Sequence, residues 1–538
     1  MSTSDPTAGA ELPDVADLTR LANQLFLALP TAGQGGLGQL PAGGAVGAAV
    51  PTAVTSLPHA PGSFKPHAAG IPSRGPGLPG LAAIGSAIPV TPAIPGIASP
   101  GELPGGSLPF ASTPSFYFLD SATPPTAVIG GFDTEAVRRD FPILRERING
   151  RPLIWLDNAA TTQKPQAVID RLNQFYLHEN SNIHRGAHDM AARATDAYEA
   201  ARDKVRGFLN AGTVEEIVFV RGATEAIKLV AKTWGRQNVG PGDEIVITWL
   251  EHHANIVPWQ MLCAETGAKL RVVPVDDHGQ VLLDEYGKLL GPRTRLVAFT
   301  QVSNALGTVT PAHRMVEMAH RAGALVLVDG AQSVSHMRTD VQALDCDFFV
   351  FSGHKVFGPT GIGVLYGKAA VLETMPPWQG GGNMIEDVTF EKTRYQAPPA
   401  LFEAGTGNIA DAVGLGAAID YLQGIGLDVV ARHEHDLLAH ATRLLADVPG
   451  LRLIGTAPEK AGVISFTLDG FKSEEVGGAL NREGIAVRSG HHCAQPILRR
   501  FGVESTVRPS FALYNTFADV DMLAAALHRL KSGNRRFG

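Results

Sequence analysis

Between residues 217 and 366 the chain alternates short apolar runs with amphipathic stretches, and this alternation limits the fold more than any other feature. The runs fall at 217–220, 244–248, 269–275, 295–300, 325–329, 348–352 and 363–366, and are rich in Val, Ile, Leu and Phe. Helical patterns at 224–235, 256–266 and 312–322 lie between them. Strands alternating with helices predict an α/β fold, a mostly parallel sheet covered on both faces. Before it, the spacing predicts a helix over 134–144, a strand over 153–156, and helices over 165–180 and 191–209. From about residue 409 the pattern shifts to helices with shorter strands, such as 462–467 and 485–489. This predicts a large domain over 132–408 and a smaller α+β domain over 409–538.

In such sheets ligands gather at the carboxyl ends of the strands. Several reactive side chains stand there. Strand 325–329 ends in Asp329-Gly-Ala-Gln332, and strand 348–352 runs into Ser352-Gly-His-Lys355. Gly222-Ala-Thr224-Glu225 opens a helix directly after strand 217–220, and N–H groups at a helix start suit a phosphate. Glu251-His-His253 follows strand 244–248, and Ser303-Asn304 follows strand 295–300. On its own, Lys355 reads first as a strand-end lysine that snorkels to solvent. Beside an acid, a histidine and a phosphate-type turn, it reads as a Schiff-base lysine whose pKa is lowered by burial. Together these residues are the equipment of a pyridoxal phosphate site.

Residues 1–131 are different in kind. They hold 20 of the 37 prolines, and their only Lys or Arg residues are Arg20, Lys65 and Arg74. A Pro/Gly/Ala/Ser bias of this sort predicts a disordered arm. Two islands interrupt it. Segment 14–29 has Leu18, Leu21, Leu25 and Leu29 at helical spacing, and segment 103–119 is apolar and aromatic. Such islands suit ordering on a partner, or packing on the chain's own folded body. The acidic opening, with Asp5, Glu11, Asp14 and Asp17, is unlike a signal or transit peptide. A net charge of −7 provides no footprint for nucleic acid. No apolar run reaches the roughly 18 residues of a membrane span. Cys263, Cys346 and Cys493, three and widely spaced, make neither a disulfide framework nor a paired CxxC metal site and fit a reducing cytosol. Cys493 stands in a polar loop with Arg488, His491 and His492, where a thiolate is favoured. No second ligand group accompanies His491-His492-Cys493, so no metal is expected. His433-Glu434-His435 reads as a solvated helix face, and Gly380-Gly-Gly382 as a flexible turn.

Eight stretches, in order, carry a family resemblance: Leu156-Asp-Asn-Ala-Ala160, Asn182-Ile-His-Arg-Gly186, Phe219-Val-Arg-Gly-Ala-Thr-Glu225, Glu251-His-His-Ala-Asn-Ile-Val-Pro-Trp259, Val328-Asp-Gly-Ala-Gln332, Phe351-Ser-Gly-His-Lys355, Phe402-Glu-Ala-Gly-Thr406 and Arg488-Ser-Gly-His-His-Cys-Ala494. From Phe132 onward the chain resembles the SufS-type, group II cysteine desulfurases, fold-type I pyridoxal phosphate enzymes of the class V aminotransferase family. The resemblance implies catalytic roles for Lys355 (Schiff base), Cys493 (persulfide carrier) and His252 (ring stacking and proton transfer). It implies that Asp329 and Gln332 hold the cofactor ring. Thr224, Ser352 and His354 would hold its phosphate, with Thr406 reaching in from a second subunit. It places Glu225 and Gly380 near the cofactor as well. Arg508 would clamp the substrate carboxylate, with Asn304, Arg488, His184 and Ala159 around it. Where many relatives have proline, this chain has Gly407.

The implied reaction converts L-cysteine to L-alanine in a homodimer, for iron–sulfur cluster assembly. The brief loop from Arg488 to Ala494 implies transfer to a SufE/SufU-type sulfur acceptor. The arm resembles the leader of desulfurases packaged as encapsulin cargo, which implies a cytoplasmic enzyme inside a nanocompartment. A selenocysteine lyase, or a cargo protein with vestigial catalysis, are the alternatives.

Overall fold

The alternating runs assemble into one seven-stranded sheet in the computed structural model, which describes residues 132–534 apart from Arg185. Its strands are β1 (Ile217–Val220), β2 (Glu244–Thr248), β3 (Lys269–Val273), β4 (Thr294–Thr300), β5 (Leu325–Asp329), β6 (Phe348–Ser352) and β7 (Gly363–Gly367). They lie in the order β1-β7-β6-β5-β4-β2-β3. β7 alone runs against its neighbours, so the sheet is mostly parallel. β6 is buried along its length because helices cover both faces. Phe349 and Phe351 feed one core, while Phe348 and Val350 feed the other. Each such side chain contributes about 1.5–3 kcal/mol by leaving water.

Parallel pairing aligns the carboxyl ends. Thr300 lies opposite Asp329, and Asp329 opposite Val350. β7 enters at the same edge, where Gly363 faces both Ser352 and Val220. A Cβ at Gly363 would stand 2.5 Å from Gly222 Cα and 2.6 Å from the Phe351 carbonyl oxygen. Only glycine permits that approach. It brings the start of helix α1 (Ala223–Val230) against Ser352, whose Oγ accepts the Ala223 N–H at 2.9 Å.

The later part of the chain builds helix α2 (Leu427–Ala446) and an antiparallel sheet of β8 (Leu451–Ile454), β9 (Ser465–Leu468), β10 (Arg488–Gly490) and β11 (Thr506–Arg508), ordered β8-β9-β11-β10. The single strand expected over 485–489 divides. Ile485–Ala486 pairs in parallel with Ile154–Trp155, while Arg488–Gly490 turns into the four-stranded sheet. Ile154 and Leu156 therefore share a core with Leu437, Phe466 and Val507.

Other expectations are corrected. The helix over 134–144 stops at Arg139, and a 3₁₀ turn, Pro142–Arg145, follows. Pro142 forces Phe141 into an extended conformation. The helix over 224–235 widens into a π turn at Ala231–Gly235. After Gly380-Gly-Gly382 comes an unforeseen hairpin, Ile385–Val388 with Thr393–Tyr395, and Phe390 in its turn is fully exposed. His433 and Glu434 are buried rather than solvated. His433 Nε2 donates to the Asn515 carbonyl at 2.9 Å, and Glu434 meets His336 Nδ1 at 2.6 Å. The expected arm, residues 1–131 with segments 14–29 and 103–119, lies outside the described residues.

Candidate active site

A cavity of about 570 Å³ opens at the carboxyl edge of the seven-stranded sheet and is closed on its other side by β10, β11 and the loop after β10. Its walls include Ala159, Thr224, His252, Asn304, Asp329, Gln332, Ser352, His354, Lys355, Arg488, Cys493 and Arg508. Twelve of the sixteen residues expected from the sequence thus meet in one place.

Lys355 closes the 3₁₀ turn Gly353–Lys355 that follows β6. Burial lowers its ammonium to about 8. Asp329 works against that shift and Arg508 reinforces it. The turn is pinned at the His354 carbonyl, which accepts the Thr162 N–H and the Thr161 hydroxyl, each at 3.0 Å. Burial raises the Asp329 carboxyl, and the Ala331 N–H at 2.9 Å, together with Lys355, holds it back. Gln332 Nε2 donates to the Ala159 carbonyl at 2.6 Å. Burial, then the charge of Lys355, pushes His252 down to about 3. Its Nδ1 accepts the Ala254 N–H at 3.0 Å, so the one proton of the neutral ring sits on Nε2. His354 is pushed down to about 4, chiefly by burial.

On the opposite wall Arg488 and Arg508 face each other directly across β10 and β11. Like charges so placed repel. Asp157 lies between them, 2.9 Å from Arg488 Nη2 and 3.4 Å from Arg508 Nη2. Arg508 Nη1 donates to the Asn304 carbonyl at 2.8 Å. Its Nε, and Asn304 Oδ1, are buried without a partner among the described residues. An unmet buried donor costs about 1–3 kcal/mol, which a substrate carboxylate would offset. Burial brings the Arg508 guanidinium down to about 10, still charged at neutral pH.

Cys493 is exposed at the cavity mouth. It and His492 both have φ of 54°. The left-handed region disfavours such side chains by roughly 1–2 kcal/mol each. The Cys493 carbonyl accepts the His253 N–H at 2.8 Å, and its own N–H donates to His491 Nδ1 at 3.1 Å. The His253 and His491 rings stack, with centroids 5.9 Å apart.

Residues 154–523 match the family model described as aminotransferase class-V. A cysteine desulfurase of Synechococcus elongatus is 73% identical over 404 residues, which is 75% of this chain and 64% of that protein's length. A probable cysteine desulfurase of Mycolicibacterium paratuberculosis is 57% identical over 493 residues, 91% of this chain and 71% of that protein. A solved cysteine desulfurase of Escherichia coli superposes with a TM-score of 0.70 at 41% identity, covering 75% of this chain and 99% of that one. The chain belongs to the cysteine desulfurases of the class V aminotransferase family.

Desulfurases of this family are pyridoxal phosphate enzymes with the fold-type I architecture seen here. The cavity fits that cofactor. A lysine of lowered pKa and a buried acid lie at neighbouring strand ends, and a hydroxyl caps a helix start beside them. The remaining four expected residues stand apart from this cavity. Glu225 accepts the Arg221 N–H at 2.6 Å and the guanidinium at 3.0 Å. With Thr406 it lines a second cavity of about 700 Å³. His184 is taken by Glu199 at 2.8 Å, and Gly380 is exposed. Sequence reasoning passed over Asp157, although it stands inside a quoted stretch. An acid directly after the 153–156 strand was the available signal. Thr161 and Thr162, four and five places beyond Asp157, hold the turn of Lys355 and were also passed over.

Proposed function

We propose that this protein is a homodimeric, SufS-type L-cysteine desulfurase that uses pyridoxal phosphate and carries sulfur as a persulfide on Cys493. The observation that carries the reading is that Lys355 and the exposed Cys493 share one cavity. Lys355, Asp329, Gln332 and His252 would hold the cofactor ring, and the start of α1 with Thr224, Ser352 and His354 its phosphate. When bound, the cofactor supplies an electron sink for the substrate carbons. Arg508 orients the substrate carboxylate as a buried fork, and Asn304 borders the same space. Lys355, with a pKa near neutrality, can give and take a proton at its Nζ. His252 can give one from Nε2. Cys493 Sγ attacks the substrate sulfur. The new S–S bond forms as the substrate Cβ–S bond breaks, and its electron pair stays with carbon. Cysteine and the Cys493 thiol thus become alanine and a Cys493 persulfide.

A second copy of the chain would complete the site with Thr406. Thr406 and Gly407 are exposed in the wall of the second cavity, which supports an interface there. The brief loop between Arg488 and Ala494 favours delivery to a SufE/SufU-type acceptor, for iron–sulfur cluster assembly. The arm would place the enzyme inside a cytoplasmic encapsulin shell. The match to the M. paratuberculosis relative spans more residues than the folded body, so the likeness runs into the arm.

Cys493→Ala is expected to abolish sulfide release from L-cysteine while keeping the visible absorbance of the lysine-bound cofactor. Desulfuration at full rate by that variant would overturn the mechanism. Deleting residues 1–131 should leave turnover intact and end co-purification with a shell protein. Lost turnover with retained shell binding would refute the role of the arm.

A further inference from the structure

We propose that His492 is a positioning residue: with Thr506 and Ser465 it latches the loop of Cys493 onto the C-terminal sheet, and Asn304 ties that latch to Arg508. The inference rests on Cys493 being the nucleophile, and it assigns what keeps that thiol in place.

Proton bookkeeping defines the latch. Ser465 Oγ lies 2.6 Å from the Ala305 carbonyl, which can only accept, so the serine hydroxyl donates there. Thr506 Oγ1, 3.3 Å from Ser465 Oγ, must then donate to it. Having spent its proton, Thr506 can only accept from His492 Nε2 at 2.8 Å. Burial, reinforced by the nearby Arg508 charge, pushes His492 down to about 2, so the ring is neutral and its proton sits on Nε2. Ser465 and Thr506 are fully buried, so water cannot replace either partner.

The contacts close into a circuit. Thr506 and Arg508 are two residues apart on β11 and lie on one face of it. Thr506 holds the His492 ring. Arg508 holds the Asn304 carbonyl at 2.8 Å, and Asn304 Nδ2 holds the His492 carbonyl at 2.7 Å. His492 is therefore gripped at ring and backbone from the strand that carries the substrate clamp. Cys493 follows it directly, and both residues sit at φ of 54°, a conformation a free loop abandons. Arg508 cannot shift on a substrate without moving the support of the thiol.

Thr506→Val removes the acceptor, and Thr506→Ser keeps it. In the holoenzyme of Thr506→Val, amide hydrogen exchange in the segment 488–494 should quicken about tenfold. Its kcat should fall about tenfold with KM within about twofold. Thr506→Ser should restore both. Unchanged exchange in that segment, or equal damage in the serine variant, would overturn the latch. If Thr506→Val does not fold, His492→Asn, which tolerates the same φ but withdraws the ring donor to Thr506, is compared with the wild type in the same way. A wild-type enzyme inert toward cysteine would remove the reading of Cys493 as nucleophile, while the exchange data would still decide the latch.

Discussion

Asp329 and Ser352 reach the cavity from adjacent parallel strands, whereas Cys493 reaches it from a loop with two left-handed residues. On the first side the backbone ladder itself sets position. Slipping β5 against β6 by one residue would turn Phe348 and Phe349 to the wrong faces, so two cores oppose any movement. On the second side no ladder extends past Gly490. Position there comes from single hydrogen bonds: His253 to the Cys493 carbonyl, Asn304 to the His492 carbonyl, Asp157 between two arginines. The sheet side can lose a functional group and keep its shape, while the loop side loses shape with almost any polar substitution.

The largest effect tests the sheet side. Lys355→Ala should lower alanine formation by more than about a thousandfold. Without cofactor, its thermal midpoint should not fall, because a buried ammonium is removed from a rigid frame. A large drop in the midpoint would break the contrast. Next comes Asp157→Asn, which leaves Arg488 and Arg508 facing each other unscreened. It should cost about 2–3 kcal/mol by denaturant titration, less than a fully buried pair because Arg488 is half exposed. KM for cysteine should rise with it. An unchanged KM would show that Arg508 is placed by β11 alone. The smallest effect lies at the seam, where the buried pair of His336 and Glu434 joins the segment after β5 to helix α2. Burial alone would lower the His336 pKa, and Glu434 more than offsets this and raises it. A raised pKa adds stability that is full below about pH 6.5 and is lost as pH rises through the folded value. The Tm gap between wild type and Glu434→Gln should therefore be wide at about pH 6 and narrow at about pH 9. An equal gap at both would mean the pair is held by packing, not charge.

The same contrast explains what could be read from the chain. The seven strand runs lie within two residues of their observed ends, because a strand buried on both faces leaves a continuous apolar signature. Asp329, Ser352 and Lys355 follow from those ends. The pairing of Arg488 with Arg508, and of both with Asp157, depends on a register between segments far apart, and nothing local announces it. Glu434 looked solvated because its partner His336 is 98 residues away. The hairpin after Gly382 has mostly exposed side chains, so no apolar alternation marked it. Thr406, Glu225, Gly380 and His184 came from family resemblance, and in a single chain they stand apart from the cavity.

The pairing of Ile154–Trp155 with Ile485–Ala486 has a consequence for synthesis. Asp157 leaves the ribosome 331 residues before Arg488 and 351 before Arg508. At about 5–20 residues per second it waits roughly 20–70 s for them. Until Leu437 emerges, Ile154 and Leu156, buried in the finished fold, have no core to enter. The seven-stranded sheet is complete once Gly367 has emerged, so a chain halted before Arg508 holds Asp329, Ser352 and Lys355 at finished strand ends and leaves Asp157 short of one of its two arginines.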